Sequence, residues 1–327
     1  MHANSAATFT GALFGAGLTI SGVANPSVIL DQLRFTDFHM LLTFLSASSC
    51  SAPIFAVANY TKFVRIPPKS KTSYGRFSAF DGNIIGGLLL GLGMGLTGAC
   101  PGTVLVQAAS GMPGSRFLLA GGLVGGIIFA KWSQSNRPYT VGKSSVSSST
   151  ATHVNERVVP RILIVYEATL ICAIFTMSAL TPRSKHLVHP VFGGVLIGLA
   201  QAASVLIAKK PLGISTAYED MGKMFWGLIQ GHPFPGLQNF IFVSSAFGAA
   251  SVIGRLLPQS VKHPPVDSMM PPLVSLIGGM ALVLGARVAG GCTTRHGISG
   301  ISSLGASSFV TIFTMFSGAL MTANLSG

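Results

Sequence analysis

Charged side chains are scarce in this chain. Only 9% of its 327 residues are Asp, Glu, Lys or Arg, and 49% are hydrophobic, whereas a soluble globular protein carries roughly 25% charged residues. The mean hydropathy of +0.61 agrees with this imbalance. So little charge cannot cover the surface of a soluble domain, which predicts a polytopic integral membrane protein.

Acidic residues are especially few. The chain has 8 Asp and Glu against 21 Lys and Arg, a formal net charge of +13. In a soluble protein this excess would favour nucleic acid, but here the basic residues are scattered among loops and form no nucleic-acid-reading motif. Basic residues beside membrane spans set orientation, so we expect a lipid bilayer and no nucleic acid as partner.

Cysteines are also few, and their placement excludes a disulfide framework. All four, Cys50, Cys100, Cys172 and Cys292, lie within or at the ends of apolar segments. Cys50 and Cys172 are typical of small packing residues. Two isolated thiols with His296 as the nearest histidine do not have zinc-ligand spacing, so no metal and no cofactor are predicted.

Long apolar runs account for most of the remaining chain, and a run of about 20 residues spans the hydrocarbon of a bilayer. We predict an all-α membrane protein of about nine transmembrane helices, in a plasma (inner) membrane. The Ser/Thr-rich connector 133–159 separates a first half, 1–132, from a second, 160–327. The predicted spans are Ala6–Ala24, Met40–Tyr60, Ile84–Ala99, Phe117–Trp132, Ile162–Leu180, Val191–Ala208, Leu237–Leu257, Leu273–Ala289 and Ile298–Ala323.

A glycine-framed pattern occurs twice with a cysteine at the same offset. From Gly87 and from Gly279, glycines follow at +6 and +11 and a cysteine at +13, which is Cys100 or Cys292. The frame recurs from Gly11, with Ala24 at +13. A fainter copy starts at Gly194 and has Ile207 at +13.

The four copies are spaced as a duplication would place them. Gly11 and Gly194 are 183 residues apart, and Gly87 and Gly279 are 192 apart. Internal duplication is typical of transporters with pseudo-two-fold symmetry, whose substrate site lies at the midplane where interrupted helices meet. We therefore predict two pseudo-symmetric halves related as inverted repeats.

The two cysteine turns have the chemistry of an anion site. Pro101 after Cys100 suits the first position of a new helix, whose free N–H groups point back toward the turn. After Cys292, Thr293, Thr294 and Arg295 supply hydroxyls, backbone donors and a cation. Broken backbone at membrane depth is tolerated only beside protein or a water-filled path, so both turns should face an internal pathway.

Three strings resemble the YeeE/YedE family, also called the sulphur transport family, whose studied members take up thiosulfate. They are GLLLGLGMGLTGACPG with Cys100, GARVAGGCTTRHGISG with Cys292, and the opening GALFGAGLTISGVANPSVIL. The resemblance implies an hourglass with short re-entrant helices at a central constriction, where cysteine thiols relay the ion by hydrogen bonds to its sulfur. The family commonly has a further cysteine where this chain reads Ala24-Asn25-Pro26, so a relay here would involve Cys100 and Cys292 alone.

We accordingly predict a substrate pathway for thiosulfate or a related small sulfur anion. A mostly protonated thiol, with a pKa of about 8.5, donates weakly to an anion without adding like charge. Lys209 and Lys210 lie near the pathway and either attract anions or mark a loop. The pathway residues are Asn25, Cys100, Pro101, Gly102, Cys292, Thr293, Thr294, Arg295 and His296, with Gly98, Arg287 and Gly291 in secondary roles.

Several charged residues lie inside apolar stretches. Arg287 fits helix packing or carbonyl capping as well as it fits anion attraction. Glu167 is expected to pair with a basic residue, since an acid repels an anion. His296 fits the capping of a turn better than proton transfer. The segment with Glu219, Asp220 and Lys223 is interpreted as re-entrant or interfacial.

Two alternatives to thiosulfate uptake remain at this stage. A membrane sulfurtransferase would carry a persulfide on Cys100 or Cys292 and pass its sulfur to a soluble sulfur-accepting protein. A transporter or channel for another small ion is the other alternative. No enzyme activity is predicted, and the sequence carries no signal for an oligomeric state or for the coupling of transport to protons or sodium.

Overall fold

The computed structural model describes residues 3–136, 158–181, 187–231, 233–261 and 271–323. These residues are helical, without strands, so the predicted all-α class is confirmed; most of the predicted connector, 137–157, lies outside them. The α-helices are α1 Ala3–Ile20, α2 Pro26–Leu33, α3 His39–Tyr60, α4 Asp81–Thr97, α5 Thr103–Ala109, α6 Ser115–Ser135, α7 Val158–Leu180, α8 Pro190–Ala203, α9 Ser215–Gln230, α10 Gln238–Leu256, α11 Pro272–Val288 and α12 Ala306–Ala323.

Six helices in the described part of the chain are long and apolar enough to cross a membrane: α3, α6, α7, α8 with the π-helical turn Ser204–Ala208, α10 and α12. The three other predicted runs coincide with α1, α4 and α11, which are not among these six. The prediction of one span over Ile298–Ala323 was wrong. A π-helical turn, Arg295–Gly300, precedes a break at Leu304 (φ 55°), and α12 begins only at Ala306.

Three of the four glycine-framed helices end as the sequence predicts. Each has a glycine in the left-handed region two positions before Cys100, Cys292 or Ala24. These glycines are Gly98 (φ 57°), Gly290 (φ 79°) and Gly22 (φ 74°). A residue with a Cβ is disfavoured there. A short helical segment follows each of these breaks: α5, residues 293–302 and α2.

The third copy departs from the predicted frame. Ile207 was expected at the turn, but it lies within the π-helical turn Ser204–Ala208, and the left-handed residue is Lys209 (φ 54°). The helix therefore continues past the predicted end of the frame before the chain breaks. Pro211, two residues after Lys209, takes the place that the cysteines take in the second and fourth copies.

Contacts between helices come in matched pairs. α1 packs on α10 as α8 packs on α3, and α4 packs on α12 as α11 packs on α6. α1 also contacts α8, and α4 contacts α11. If α1, α3, α4 and α6 are exchanged with α8, α10, α11 and α12, in that order, each of these contacts becomes another member of the same set. A two-fold relation between duplicated halves would give this pattern. α7 lies outside this exchange and packs on α3.

Polar bonds attach α7 to α3. The Ser49 hydroxyl donates to a Glu167 carboxylate oxygen at 2.5 Å, and Ser48 and Tyr166 share a 2.8 Å hydrogen bond. Glu167 was expected to pair with a basic residue. That prediction was wrong, since in the described part of the chain its carboxylate makes no ion pair and is held by a hydroxyl.

The contact between α4 and α11 requires glycine on both helices. A Cβ atom on Gly285 would lie 2.3 Å from the backbone nitrogen of Leu90, and one on Gly86 would lie 2.2 Å from that of Ala289. Such small-residue contacts let the backbones of membrane helices approach closely. The contact brings together the two helices that end at the cysteine turns.

We expect Gly285→Ala to lower the free energy of unfolding by about 1–3 kcal/mol, because the added methyl group meets backbone atoms that cannot rotate away. Thermal unfolding in detergent measures the loss. Gly248→Ala in α10 is the matched control, since nothing lies within 4 Å of its Cβ position. Equal stability of the two variants would contradict the close contact.

Candidate functional site

Side-chain hydrogen bonds join the four turns in pairs. The Gln107 amide donates to the Ala24 carbonyl of the first turn at 2.9 Å and to the Gly98 carbonyl of the second at 3.2 Å. In the third and fourth turns, the Ser299 hydroxyl donates to the Gln201 side-chain oxygen at 3.0 Å, and the same oxygen accepts from the Leu212 N–H. The first and second turns therefore form one unit, and the third and fourth form another.

The two units meet at the residues that follow the cysteines. A Cβ atom on Gly102 would lie 3.7 Å from the Thr294 hydroxyl and 3.8 Å from the Cys100 sulfur. Cys100 and Cys292 are both buried. The two cysteine turns are thus adjacent in the structure at Gly102 and Thr294.

Cys100 lies in a turn that Thr103 closes. The Thr103 hydroxyl accepts a hydrogen bond from the Cys100 N–H at 2.8 Å, and the Thr103 N–H points at the Cys100 sulfur at 3.5 Å. The thiol is 2% exposed. A buried thiol that already accepts a backbone N–H has its own S–H free to donate.

Cys292 is fully buried, and its neighbours add more sulfur. The hydroxyl of Thr293 lies 3.8 Å from the Met94 sulfur and 3.6 Å from the Met315 sulfur. Thioether and thiol sulfurs are soft and polarisable. The residues around the two cysteines therefore offer polarisable sulfur atoms and weak hydrogen-bond donors.

Tyr218 of α9 contacts the Cys100 turn. Its hydroxyl donates to the Pro101 carbonyl at 3.0 Å. This bond satisfies the carbonyl of a residue in the broken segment, which is required where backbone is non-helical at membrane depth. Pro101 is thereby fixed by a side chain from the other half of the chain.

Arg287 is neutralised and does not present a free cation. Its guanidinium forms an ion pair with Glu219, which also bonds Lys223 at 2.6 Å, and it stacks over the Phe129 ring at 5.5 Å. α9, with Glu219 buried in its interior-facing side, is a 16-residue helix packed between α6 and α11. Arg287 therefore holds α11 to α9.

Arg295 has a different environment. In the described ranges no carboxylate lies within 4 Å of its guanidinium. Its side chain packs on Gly213, where a Cβ atom would lie 3.1 Å from an Arg295 nitrogen, and it lines a cavity of about 280 Å³. Arg295 is thus a cation of the fourth turn that faces open space.

Both ring nitrogens of His296 are occupied. Nε2 lies 3.2 Å from the Ala289 carbonyl and Nδ1 lies 3.0 Å from the Ser308 hydroxyl. A neutral ring satisfies both partners, with Nε2–H donating and Nδ1 accepting. Its edge packs on Gly291, where a Cβ atom would come within 3.0 Å of the ring. His296 caps the fourth turn and forms no bond with either thiol.

Asn25 and Gly98 shape the first two turns. The Asn25 amide donates to the Gly22 carbonyl at 2.9 Å and to the Ser260 carbonyl at 3.3 Å. Gly98 is the left-handed end of α4, and a Cβ atom on it would come within 2.8 Å of the Pro26 carbonyl. Both residues hold backbone in place.

Sequence reasoning missed Gln107, Tyr218, Met94 and Met315. Each lies in an apolar or mixed segment, where the sequence pattern does not distinguish a residue that packs in the core from one that lines a pathway. Only the polar-spotted segment around Tyr218 carried a signal. Within the described residues, no group of three or more His, Cys, Asp or Glu side chains is placed to hold a metal ion.

Comparisons with known proteins find transporters. The thiosulfate transporter TsuA of Spirochaeta thermophila is 26% identical over 318 residues, which cover 92% of this chain and 92% of that protein. Two proteins of Xylella fastidiosa, each described as a probable transporter, are 29% and 27% identical over 141 and 139 residues. These matches cover 94% of each Xylella protein but only 42% of this chain, which is close to one half.

The family assignment follows from a match over nearly the whole chain. The model of the sulphur transport family matches residues 20–321, which include all four turns. With its apolar helices, the protein is a multi-pass integral membrane protein, and it belongs to the sulphur transport family.

Proposed function

We propose that the protein takes up thiosulfate, or a related small anion with a terminal sulfur, across the plasma membrane through the centre where the four turns meet. The observation that carries the proposal is the pair of buried thiols, Cys100 and Cys292, on two turns that lie next to each other at Gly102 and Thr294. Family membership and the similarity to a thiosulfate transporter support it. The protein acts as a transporter, with no catalytic residue and no cofactor.

The thiols would recognise the sulfur end of the substrate. Each S–H group donates a weak hydrogen bond to the passing anion, while Met94 and Met315 add polarisable surface beside Thr293. Conduction requires binding that is favourable enough to admit the ion and weak enough to release it. A thiol suits this requirement better than a lysine, which would hold an anion as an ion pair.

The architecture we propose is an hourglass of two inverted halves, 1–132 and 160–327. α2, α5 and residues 293–302 are its short re-entrant helices. Support comes from the matched helix contacts and from the Xylella relatives, whose nearly complete lengths cover 42% of this chain. The thiols lie at the constriction, where the exposed fractions of Cys100 and Cys292 are 2% and 0%.

The contacts of His296 argue against the persulfide alternative. A base beside the thiol is one common way to activate it, but both nitrogens of the His296 ring are bonded elsewhere. A soluble sulfur acceptor is then a downstream consumer of the transported anion and not a partner in the transport step.

Uptake of ³⁵S-thiosulfate into proteoliposomes tests the proposed function. We expect accumulation above that of empty liposomes, and we expect unlabelled thiosulfate to compete more strongly than sulfate, which lacks the terminal sulfur. Growth on thiosulfate as sole sulfur source, in cells without their own uptake system, should depend on the gene. Folded protein in the liposomes with no uptake above the empty control would refute the proposal.

A further inference from the structure

A groove of about 250 Å³ opens on the outer surface of the helices beside Tyr218. α6 and α10 form its two walls, and α5 and α9, on which both of these helices pack, form its floor. The floor residues Leu105 and Tyr218 are buried, whereas Ser244 and Phe247 on the α10 wall are exposed. Because α6 and α10 are long and apolar enough to cross a membrane, this open groove faces the hydrocarbon of the bilayer.

An equivalent groove lies between α12 and α3. Leu105 lines the open groove and Gly297 lines the second one, and each lies five residues after its cysteine. Phe247 of α10 and Phe44 of α3 occupy the corresponding walls. The matched helix contacts pair α6 with α12 and α10 with α3, so the same exchange relates the two grooves.

α7 covers the second groove. Its Leu170 lines that groove and is buried there. The bonds of Tyr166 and Glu167 to serines of α3 hold α7 in this position, and the space that remains is about 70 Å³. No helix in the described ranges covers the open groove in the same way, and its volume stays at about 250 Å³.

The wall of the open groove lacks the residue that anchors α7. At the position of Ser49, five residues after the wall phenylalanine, α10 has Val252. The preceding residue, Ser251, donates its hydroxyl to the Ala109 carbonyl of α5 at 3.1 Å. Hydrogen bonds between helices stabilise their association in a membrane, where lipid tails are as apolar as the helix surface. The absence of this anchor from α10 favours an acyl chain over a helix as the occupant.

Each wall of the open groove ends in an arginine. Arg255 lies 11 residues after Ser244 on α10, and Arg116 lies seven residues before Leu123 on α6. These spacings are about three and two helical turns, so each arginine shares a helix face with a groove residue. Both arginines are exposed.

The two arginines lie at the same end of the groove. The Cβ position of Gly254, which precedes Arg255, is 3.3 Å from the Ser110 hydroxyl. Ser110 ends α5, and Arg116 lies in the first turn of α6 that follows. Among the residues that the structure describes, neither arginine has a carboxylate within 4 Å, and the Arg116 guanidinium lies 5.7 Å from the Phe117 ring.

The covered groove has no charge at the corresponding positions. At the position of Arg116, seven residues before the groove residue Phe316, α12 has Phe309. At the position of Arg255, eight residues after the wall phenylalanine, α3 has Ala52. Cations therefore flank the groove that is open and not the one that α7 covers.

From these observations we propose that the open groove binds one anionic phospholipid, with an acyl chain beside Phe247 and the phosphate on Arg116 and Arg255. Guanidinium and phosphate form charge-assisted hydrogen bonds, and basic residues at a membrane surface attract anionic lipids. The chain packs against Tyr218, whose hydroxyl donates to the Pro101 carbonyl. The lipid thus supports the Cys100 turn from the membrane side, whatever ion the protein transports.

Binding of phosphatidylglycerol to the protein in detergent tests the contact with the headgroup. We expect phosphatidylglycerol to raise the unfolding temperature more than zwitterionic phosphatidylcholine does. Arg116→Gln and Arg255→Gln should each weaken binding about fivefold, because a basic residue near the surface contributes about 1 kcal/mol to the attraction of anionic lipid. Arg161→Gln, at an exposed arginine of α7, is the control and should bind as before. Equal effects of the two lipids, or unchanged binding in both variants, would overturn the site.

Tryptophan fluorescence tests the contact with the chain. In Phe247→Trp, we expect phosphatidylglycerol with brominated acyl chains to quench more than brominated phosphatidylcholine, after subtraction of the signal of the intact protein, which has Trp132 and Trp226. Addition of Arg116→Gln and Arg255→Gln should abolish the difference. Phe313→Trp, at a 75% exposed position of α12, is the control and should be quenched equally by both lipids.

Two outcomes of the fluorescence experiment contradict a specific lipid. Equal quenching of Phe247→Trp by both lipids would mean that only bulk lipid fills the groove. Protection of Phe247→Trp from both lipids would mean that a helix or a second copy of the chain covers it. Either result would overturn the proposal and leave the proposed transport function untouched, since uptake is measured separately.

Discussion

Thiosulfate uptake is expected to fall by about 100-fold or more when Cys100 and Cys292 are both replaced by alanine, because hydrogen bonds to a charged group contribute about 1.5–3 kcal/mol each. Each single substitution should cost about tenfold. The initial rate of ³⁵S-thiosulfate entry into proteoliposomes, normalised to folded protein, gives these numbers. Both cysteines are buried, and alanine keeps the Cβ and removes only the sulfur, so each substitution leaves a small gap and adds no clash.

Cys172→Ala is the control for this experiment, because that thiol is exposed on α7, far from the turns in the pattern of contacts. Its uptake should match that of the intact protein. Cys100→Ser separates hydrogen-bond donation from the softness of sulfur: serine still donates, so uptake above that of Cys100→Ala shows that donation matters. Unimpaired uptake in the double alanine variant would show that the thiols are not required for transport.

Loss of the Glu219 carboxylate is expected to produce the largest change in stability. Glu219→Ala leaves the Arg287 guanidinium buried between α9 and α11 with only distant hydroxyls, Ser215 and Thr216, at 3.5 Å. Breaking a buried ion pair on one side costs about 3–5 kcal/mol. Thermal unfolding in detergent should therefore show a markedly lower transition temperature, or a loss of folded protein on extraction.

Two further variants show whether the buried charge is the cause. Lys223→Ala removes the other partner of Glu219. The Lys223 side chain is 44% exposed, and surface ion pairs contribute only about 0–1 kcal/mol. Glu219→Leu combined with Arg287→Met replaces the pair by apolar groups of similar size and should recover most of the stability. If Glu219→Ala and Lys223→Ala were equally stable, Arg287 would not depend on Glu219.

The sequence was most informative where a single residue type is required by backbone geometry. Gly22, Gly98 and Gly290 recur at one offset because a left-handed residue ends each helix, and the cysteines could be placed from them. Ile207 was misplaced because the π-helical turn at Ser204–Ala208 lengthens the helix. No periodic pattern announces that change, since the residues involved are as apolar as those of an ordinary helix.

Long-range pairing explains the remaining differences. Arg287 and Glu219 meet through the packing of α11 on α9, and one sequence does not reveal which distant carboxylate a buried cation meets. The same holds for Tyr218 and Pro101, which are joined by a bond between the two halves. Charged residues in apolar runs could be recognised as unusual, but whether they belong to the pathway or to the packing depends on these contacts.

The amide of Gln107 has a mechanical consequence. One side chain bonds the carbonyls of Ala24 and Gly98, so the first and second turns cannot separate without breaking both hydrogen bonds. Ser299 and Gln201 couple the other two turns in the same manner. Between these couples, Gly102 and Thr294 approach at van der Waals distance, and the Tyr218 hydroxyl donates to the Pro101 carbonyl. Any motion that separates the two couples must therefore break the Tyr218–Pro101 hydrogen bond, while the bonds within each couple can stay intact.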